Sequence, residues 1–141
     1  MTQEDKELLL KDLCARLPYG IKFKADDEKY IREIHYIKDE NVYIREYRNL
    51  PYWIDTIKPY LRPMSSMTEE ECDMVEEILG DKCIFDFMSN GDIILKQGQF
   101  SQKKLAKLYD YYNSIHIDYR GLIPMGLALE ASENMYNIKN V

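Results

Sequence analysis

Three stretches of the chain repeat their apolar residues at the three- and four-residue spacing that brings side chains onto one face of a helix. The spacing predicts helices over residues 3–17, 69–79 and 102–115. Each apolar stripe is expected to pack into the core, because an amphipathic helix buries its apolar face. The stripes are Leu10, Leu13, Cys14 and Leu17; Cys72, Val75, Ile78 and Leu79; and Leu105, Leu108, Tyr109, Tyr112 and Ile115.

Polar residues at the ends of these stretches predict where the helices begin and end. Thr2 and Ser101 precede the first and third stretches, and their side-chain oxygens can accept hydrogen bonds from the backbone donors of a first turn. Thr68 and Glu71 have the spacing of a capping box at the start of the second stretch, and Gly80 follows it at the usual stop position. The second helix therefore has the clearest boundaries in the chain.

Between the first two helices the pattern changes to tyrosines and β-branched residues interrupted by short acidic turns. This composition favours a small antiparallel β-meander. Trp53, Ile54 and Ile57 are expected to form a short turn or helix that closes one end of the sheet. Pro59 and Pro63 then fix the backbone of a stiff connector that leads into the second helix. The predicted strands are residues 20–24, 29–38 and 42–47, with turns at 26–27 and 39–41.

Two apolar runs, residues 83–88 and 92–96, flank Asn90 and Gly91. Asn-Gly between apolar runs predicts a β-hairpin, because a type I′ turn needs a positive φ at both central residues. After the third helix, residues 116–141 predict a turn, a short helix and an extended tail.

The order of these elements predicts one α+β domain over residues 1–141. It contains an N-terminal helix, a small antiparallel β-meander, an acidic helix, an Asn-Gly β-hairpin, and a C-terminal helix with a tail. No internal repeat, low-complexity tract or flexible linker divides the sequence. If the domain is subdivided, the boundary is expected near residue 63.

The acidity of the chain is concentrated in one segment. The formal net charge is −6, and residues 65–92 carry nine acidic residues against Lys82 alone, which leaves the rest of the chain at +2. Acidic side chains stabilise the start of a helix, so a solvated face on residues 69–79 is the simplest interpretation. A surface that attracts a basic partner is the alternative.

The three cysteines include no C-x-x-C pair, which argues against a disulfide framework and against a zinc site. Cys14 and Cys72 are instead expected in the core. The start of the chain is acidic where a signal peptide would be basic, and no apolar run approaches the roughly 20 residues that cross a bilayer. The cysteine pattern and the lack of a secretion signal therefore predict a cytoplasmic protein. Phosphate-binding loops and nucleophile motifs are also missing, so the sequence predicts no cofactor.

Three segments of the sequence carry a family resemblance. They are LLLKDL with LPYG in residues 8–20, KPYLRPMSSMT in residues 58–68, and DYRGLI in residues 118–123. In the residues and the order of these segments, the chain resembles a group of small proteins from the genomes of gut bacteria and from their prophages and other mobile elements. That group has no assigned activity. The resemblance spans nearly the whole chain. It implies a bacterial cytoplasm and a context of phage replication or of mobile-element maintenance.

The chain has two histidines, which restricts metal and acid–base chemistry. His116 and Asp118 could ligate a metal in a small metal-dependent enzyme, but a catalytic zinc needs three protein ligands and the sequence marks no third. A helix-terminal histidine that interacts with the negative end of the dipole of the third helix explains His116 equally well. His35 is expected at the surface of the sheet, beside tyrosines.

Nucleic-acid binding is a second alternative, because lysines and arginines alternate with tyrosines through the meander. Aromatic rings can stack on bases while cations neutralise phosphates. Acidic residues in the same stretch nearly cancel the positive charge, however, whereas nucleic-acid binders carry a clear basic excess. The sequence therefore disfavours a nucleic-acid partner.

Protein binding is the function class that the composition favours. Tyrosine, tryptophan and arginine dominate interface hot spots, and the chain has twelve tyrosines and one tryptophan. We therefore expect a non-enzymatic accessory or regulatory protein that binds another protein, with a homo-oligomer left open. Tyr60, Arg62, Tyr119 and Arg120 are the residues expected to contact the partner. Alternatively, each arginine bonds helix-terminal carbonyls or pairs with an acid inside the fold.

Overall fold

The computed structural model describes residues 1–46, 50–80, 83–86, 92–95 and 101–136. These ranges contain helices and mostly antiparallel sheets, which confirms the predicted α+β class. Three α-helices and three short 3₁₀ helices are present in this part of the chain. They are α1 (Gln3–Arg16), α2 (Glu69–Leu79) and α3 (Gln102–Ser114), with 3₁₀ helices at Leu17–Tyr19, Ile54–Thr56 and Met64–Ser66.

The predicted helix ends are confirmed. Thr2 caps α1 by accepting a hydrogen bond from the amide three residues on, and Ser101 caps α3 in the same way. At α2 the capping box is complete, because the Thr68 hydroxyl accepts from the Glu71 amide while the Glu71 carboxylate accepts from the Thr68 amide. Gly80 ends α2 in the left-handed conformation, with φ of 71°.

The described strands form three sheets. They are β1 (Lys22–Ala25), β2 (Arg32–Glu33), β3 (Tyr36–Lys38), β4 (Asn41–Tyr43), β5 (Tyr52–Trp53), β6 (Ile57–Leu61), β7 (Cys83–Asp86), β8 (Asp92–Leu95) and β9 (Leu129–Glu130). The first sheet has the order β2-β1-β6-β9, the second β3-β4-β5 and the third β7-β8. All pairs are antiparallel except β6 with β9.

The prediction of one strand over residues 29–38 is wrong. The segment is divided into β2 and β3, which belong to different sheets. The change occurs at two adjacent amides: Ile34 donates to the Ile21 carbonyl beside β1, and His35 donates to the Tyr43 carbonyl of β4. Local β-propensity could not reveal this crossing, because it depends on which distant strand accepts each amide.

The prediction that the stiff connector begins at Pro59 is also wrong. Pro59 lies buried inside β6, opposite Phe23 of β1. The strand has neighbours on both sides, because β6 also pairs with β9 through Tyr60 and Leu61. The irregular connector is therefore shorter than expected and begins after Leu61.

The two strands of the predicted hairpin are present, since β7 and β8 pair with Asp86 opposite Asp92. The Asn90-Gly91 turn itself lies outside the described residues. The short helix predicted after α3 is wrong: residues 122–126 form turns, and the chain then enters β9. Gly121 and Gly126 both adopt positive φ there, a conformation that interrupts a right-handed helix.

Within the described residues, the buried apolar side chains form two clusters. The first draws on residues 9–61 and 122–128, and the second on residues 67–117. Val75, Leu79, Leu108 and Tyr112 belong to the second cluster, as the helix stripes predict. The prediction that Tyr109 lies on the buried stripe of α3 is wrong, because this residue is 45% exposed.

The buried face of α1 differs from the predicted stripe. Leu9 and Leu13 are fully buried, together with the charged side chains of Asp12 and Arg16. Cys14, predicted in the core, is exposed. The buried face therefore includes an ion pair, which hydropathy alone assigns to the solvent side.

Candidate functional site

Arg62, one of the predicted partner contacts, is occupied inside the fold. Its two terminal nitrogens donate to both carboxylate oxygens of Glu71, at 2.8 and 2.7 Å. They also donate to the carbonyl of Ser66 at 3.0 Å and to the carbonyl of Ile115, the residue that follows α3, at 3.3 Å. One guanidinium thus ties the connector to α2 and to the end of α3.

The electrostatics of this pair favour the ionised carboxylate. Burial raises the pKa of Glu71, but the hydrogen bonds from Arg62 and Thr68 outweigh burial and hold the pKa of Glu71 below its ordinary value. The Glu71 side chain is only 3% exposed. Removal of Arg62 would therefore leave a buried carboxylate without its counterion.

Arg120, the second predicted arginine, belongs to a polar network around α1. Arg16 Nε donates to Asp12 Oδ2 at 2.8 Å, and both side chains are 0% exposed. Arg120 Nε donates to the other carboxylate oxygen of Asp12 at 3.1 Å. Tyr119 donates its hydroxyl hydrogen to Asn113 Oδ1 on α3 at 3.0 Å. This network joins the loop after α3 to two helices.

Tyr60 is half-buried in β6, and its carbonyl accepts a 2.7 Å hydrogen bond from the hydroxyl of Tyr136. Arg62 therefore belongs to an internal network around Glu71, and Tyr119 and Arg120 belong to one around Asp12, whereas Tyr60 lies in neither. The internal contacts of Arg62 and Arg120 match the alternative stated for them, in which each arginine bonds helix-terminal carbonyls or pairs with an acid inside the fold. A role in partner binding stays a prediction for all four.

His116 and Asp118 do not converge on a common ligand. The Asp118 carboxylate accepts from the amides of Leu122 and Ile123, at 2.8 and 2.9 Å. The His116 ring is buried and stacks on Tyr136, with centroids 3.7 Å apart. In the part of the chain that the structure describes, no group of three His, Cys, Asp or Glu side chains could hold a metal ion.

Burial lowers the pKa of His116 to about 4, and the positive charges of Arg16, Arg62 and Lys22 add to the effect. The ring is therefore neutral at pH 7. The negative end of a helix dipole attracts a cation, so the neutral ring does not supply the dipole interaction that was the alternative explanation of His116. His35 is exposed and lies 5.5 Å from the Tyr36 ring, as predicted.

Two clefts of about 530 and 420 Å³ lie near the last described residues. Cations that line them are already bound by protein oxygens: Arg32 pairs with Glu28 beside the larger cleft, and Arg62 pairs with Glu71 beside the smaller. Lys22, also in the larger cleft, donates to the carbonyl of Met135 at 2.7 Å. An anionic ligand would have to compete with these contacts.

A different surface presents aromatic side chains to solvent. We call it the aromatic face: it is one side of the sheet β3-β4-β5 and consists of Tyr36, Lys38, Asn41, Tyr43 and Trp53. Strand alternation and register place these five residues on the same side, since Tyr36 is opposite Tyr43 and Asn41 lies between Lys38 and Trp53. Trp53 is 60% exposed and Tyr36 is 40% exposed.

The two tyrosines of the aromatic face form a stacked pair. Their ring centroids are 4.5 Å apart and their planes differ by 5°. The pair stands over β3 and β4, and Trp53 extends the face onto β5. Stacking fixes the tyrosine rings before any ligand arrives, so little side-chain entropy remains to be lost on binding.

The opposite side of this sheet is anchored in the core. Val42 is fully buried, and the Tyr52 ring packs edge-on against Phe23 at 5.3 Å. The Tyr52 hydroxyl donates to Glu28 at 2.7 Å. Burial and the hydrogen bond to Glu28 raise the pKa of Tyr52 to about 12. These contacts fix the sheet so that the aromatic face points outward.

The sequence signal for this site was the alternation in residues 36–43. Ile37 and Val42 are the inward positions, and Tyr36 and Tyr43 are the outward ones. The meander prediction treated the tyrosines as packing residues and did not separate the two sides of the sheet. Trp53 could not be added from the sequence, because its place depends on the pairing of β4 with β5.

None of the helices in the described part of the chain has the length and apolar character needed to cross a membrane. Comparison of the chain with models of known protein families, with curated proteins and with solved structures finds no match.

Proposed function

We propose that this protein is a non-enzymatic accessory or regulatory protein that binds another protein through the aromatic face. The observation that carries the proposal is the stacked pair of Tyr36 and Tyr43 beside the exposed Trp53, on one side of an anchored sheet. Exposed aromatic surface costs on the order of 25 cal/mol per Å², a cost that a bound partner removes. Tyrosine and tryptophan are also residues that carry much of the energy of protein interfaces.

The charges around the aromatic face favour a protein over a nucleic acid. Lys38 is the cation on the face, and the turn that joins β3 to β4 carries Asp39 and Glu40. A nucleic-acid site needs an excess of positive charge to neutralise phosphates, and these carboxylates act against it. A protein surface needs no such excess.

The resemblance to small proteins of bacterial mobile elements supports an accessory role in a bacterial cytoplasm. An accessory protein that holds or blocks another protein needs a prepared surface rather than a catalytic centre. The aromatic face provides such a surface.

Affinity capture from cells, with three forms of the full chain as bait, tests the proposal. Trp53→Ala removes the most exposed ring of the face. Tyr19→Ala is the matched control, because Tyr19 is 40% exposed and lies in the 3₁₀ helix after α1. The wild type and the Tyr19 variant should retain the same stoichiometric protein, and the Trp53 variant should lose it. Equal capture by all three forms, or capture of nucleic acid alone, would overturn the proposal.

A further inference from the structure

The chain after β9 is a short strap that is held down by one aromatic ring. We call residues 131–136 the strap. It leaves the sheet at Ala131, whose amide donates to the Leu61 carbonyl at 2.8 Å. Residues 132–134 are exposed, whereas Tyr136 packs against the first core cluster. Tyr136 therefore anchors a segment that lies mostly at the surface.

The Tyr136 hydroxyl bridges two strands at the point where their own pairing stops. β1 and β6 pair at Phe23 and Pro59, so Lys22 and Tyr60 are next in the register. Their backbone groups bond to the hydroxyl instead. The Lys22 amide donates to it at 3.0 Å, and it donates to the Tyr60 carbonyl at 2.7 Å. A side chain without a hydroxyl would leave this donor and this acceptor unpaired, which costs free energy wherever water is excluded.

The ring of Tyr136 is held as specifically as its hydroxyl. It stacks on the His116 ring, with centroids 3.7 Å apart and planes that differ by 16°. Lys22 Nζ lies 5.6 Å from the centroid of the Tyr136 ring, and an ammonium at this distance is attracted to an aromatic face. Burial raises the pKa of Tyr136, so the hydroxyl keeps the hydrogen that it donates. Together these contacts select a phenol, the ring and hydroxyl of a tyrosine side chain.

The groups that bind this phenol do not belong to the strap. Lys22 lies on β1, Tyr60 lies on β6, and His116 follows α3. The clefts of about 530 and 420 Å³ both border the strap, because Ser132 lines each of them and Tyr136 lines the smaller one. The strap can therefore lift toward open space while the groups that bind the phenol stay in place.

We infer that Lys22, Tyr60 and His116 form a tyrosine-binding pocket, which Tyr136 fills when the strap is closed and which accepts a tyrosine side chain of a partner protein when the strap is open. Tyrosine is among the residues that anchor protein interfaces. The pocket shares no residue with the aromatic face, so the inference does not rest on the proposed function. Because Tyr136 is tethered, its effective concentration at the pocket is on the order of millimolar. An external tyrosine therefore binds the wild type more weakly than it binds a chain without Tyr136.

Binding of p-cresol, the side-chain analogue of tyrosine, to the full chain with Tyr136→Ala tests the pocket. Calorimetric titration should show saturable binding, at least ten-fold tighter than that of toluene, because toluene leaves two backbone groups unpaired. The wild type and Tyr19→Ala, which removes an exposed tyrosine, should both bind p-cresol at least ten-fold more weakly than Tyr136→Ala does. Three results would refute the inference: no binding by Tyr136→Ala, equal binding of p-cresol and toluene, or equal binding of p-cresol by all three proteins.

A blocked five-residue glycine–serine peptide with a central tyrosine distinguishes a protein ligand from a free phenol. Tyr136→Ala should bind this peptide, and it should bind the same peptide with a central phenylalanine at least ten-fold more weakly. If p-cresol binds and the tyrosine peptide does not, the pocket accepts only small phenols and the inference of a protein ligand is wrong.

If Tyr136→Ala fails to fold, the wild type supplies the test through the position of the strap. A glutamate-specific protease cuts after Glu133, in the exposed part of the strap, faster when the strap is lifted. Millimolar p-cresol should speed this cleavage several-fold, and the same concentration of toluene should not. Cleavage after Glu70 in α2 reports global unfolding and should not change. No acceleration at Glu133, or equal acceleration at Glu70, would contradict the inference.

Discussion

His116 makes the stability of this protein depend on pH between about 6.5 and 4. The ring is buried against Tyr136 and has its pKa lowered from 6.5 to about 4, first by burial and then by the charges of Arg16, Arg62 and Lys22. In the unfolded chain the same imidazole recovers its ordinary pKa. Between the two pKa values the unfolded chain therefore binds the proton that the folded chain excludes.

The magnitude follows from the separation of the two pKa values. Each pH unit contributes about 1.4 kcal/mol, so this histidine lowers the free energy of unfolding by about 3 kcal/mol between neutral pH and pH 4. Its contribution is constant above pH 7, falls as the pH passes through 6.5 and levels off below the folded pKa. A loss of this size is a large part of the stability of a small domain.

Urea unfolding at pH 7, 6, 5 and 4 measures the effect in three proteins. His116→Asn removes the titrating group and keeps a residue type that tolerates the positive φ of 61° found there. His35→Asn is the matched control, because His35 is exposed. The wild type and the His35 variant should lose stability in parallel, and the His116 variant should lose about 3 kcal/mol less. Carboxylates titrate in all three proteins, so only the difference between the proteins reports on His116. The reasoning is refuted if the His116 variant loses as much stability as the wild type.

Three further predictions concern the backbone and the internal networks, and urea unfolding at pH 7 measures each. Glu40→Gly should stabilise the chain by about 1 kcal/mol, because residue 40 has φ of 61° in the turn from β3 to β4; Glu40→Ala, as control, should give no gain. Arg62→Met should lower the free energy of unfolding by about 3 kcal/mol, because Glu71 stays buried without its counterion. The double variant Arg62→Met with Glu71→Gln should recover part of this loss. A loss below about 1 kcal/mol for Arg62→Met contradicts the internal role of Arg62. Tyr136→Phe should cost about 1 kcal/mol through the hydrogen bond to the Tyr60 carbonyl, and no loss would show that this bond contributes nothing net.

Features that depend on residues a few positions apart could be predicted from the sequence. The caps at Thr68 and Ser101 and the stop at Gly80 satisfy backbone groups within one helical turn. The pairing of β7 with β8 could also be predicted from nearby residues, because the turn residues between the two strands favour a hairpin. Such signals do not require knowledge of the rest of the fold.

Features that depend on residues far apart in the chain could not be predicted from the sequence. Asp12 and Arg16 are buried because Arg120 and the carbonyl of Ile117, about a hundred residues later, complete their hydrogen bonds. Pro59 lies within a strand because β1 and β9 provide the neighbours. A hydropathy pattern places charged residues and prolines outside the core, so the prediction shifted the buried face of α1 and missed strand β6.

The sequence by itself determined the α+β class, the three helices with their ends, and an abundance of tyrosine suited to recognition. Tertiary structure decided which of those residues remain available. It placed Arg62 and Arg120 in internal ion pairs, because buried carboxylates needed counterions. It left Tyr36 and Trp53 on the open side of a sheet, because Val42 is buried and Tyr52 packs against the core on the other side.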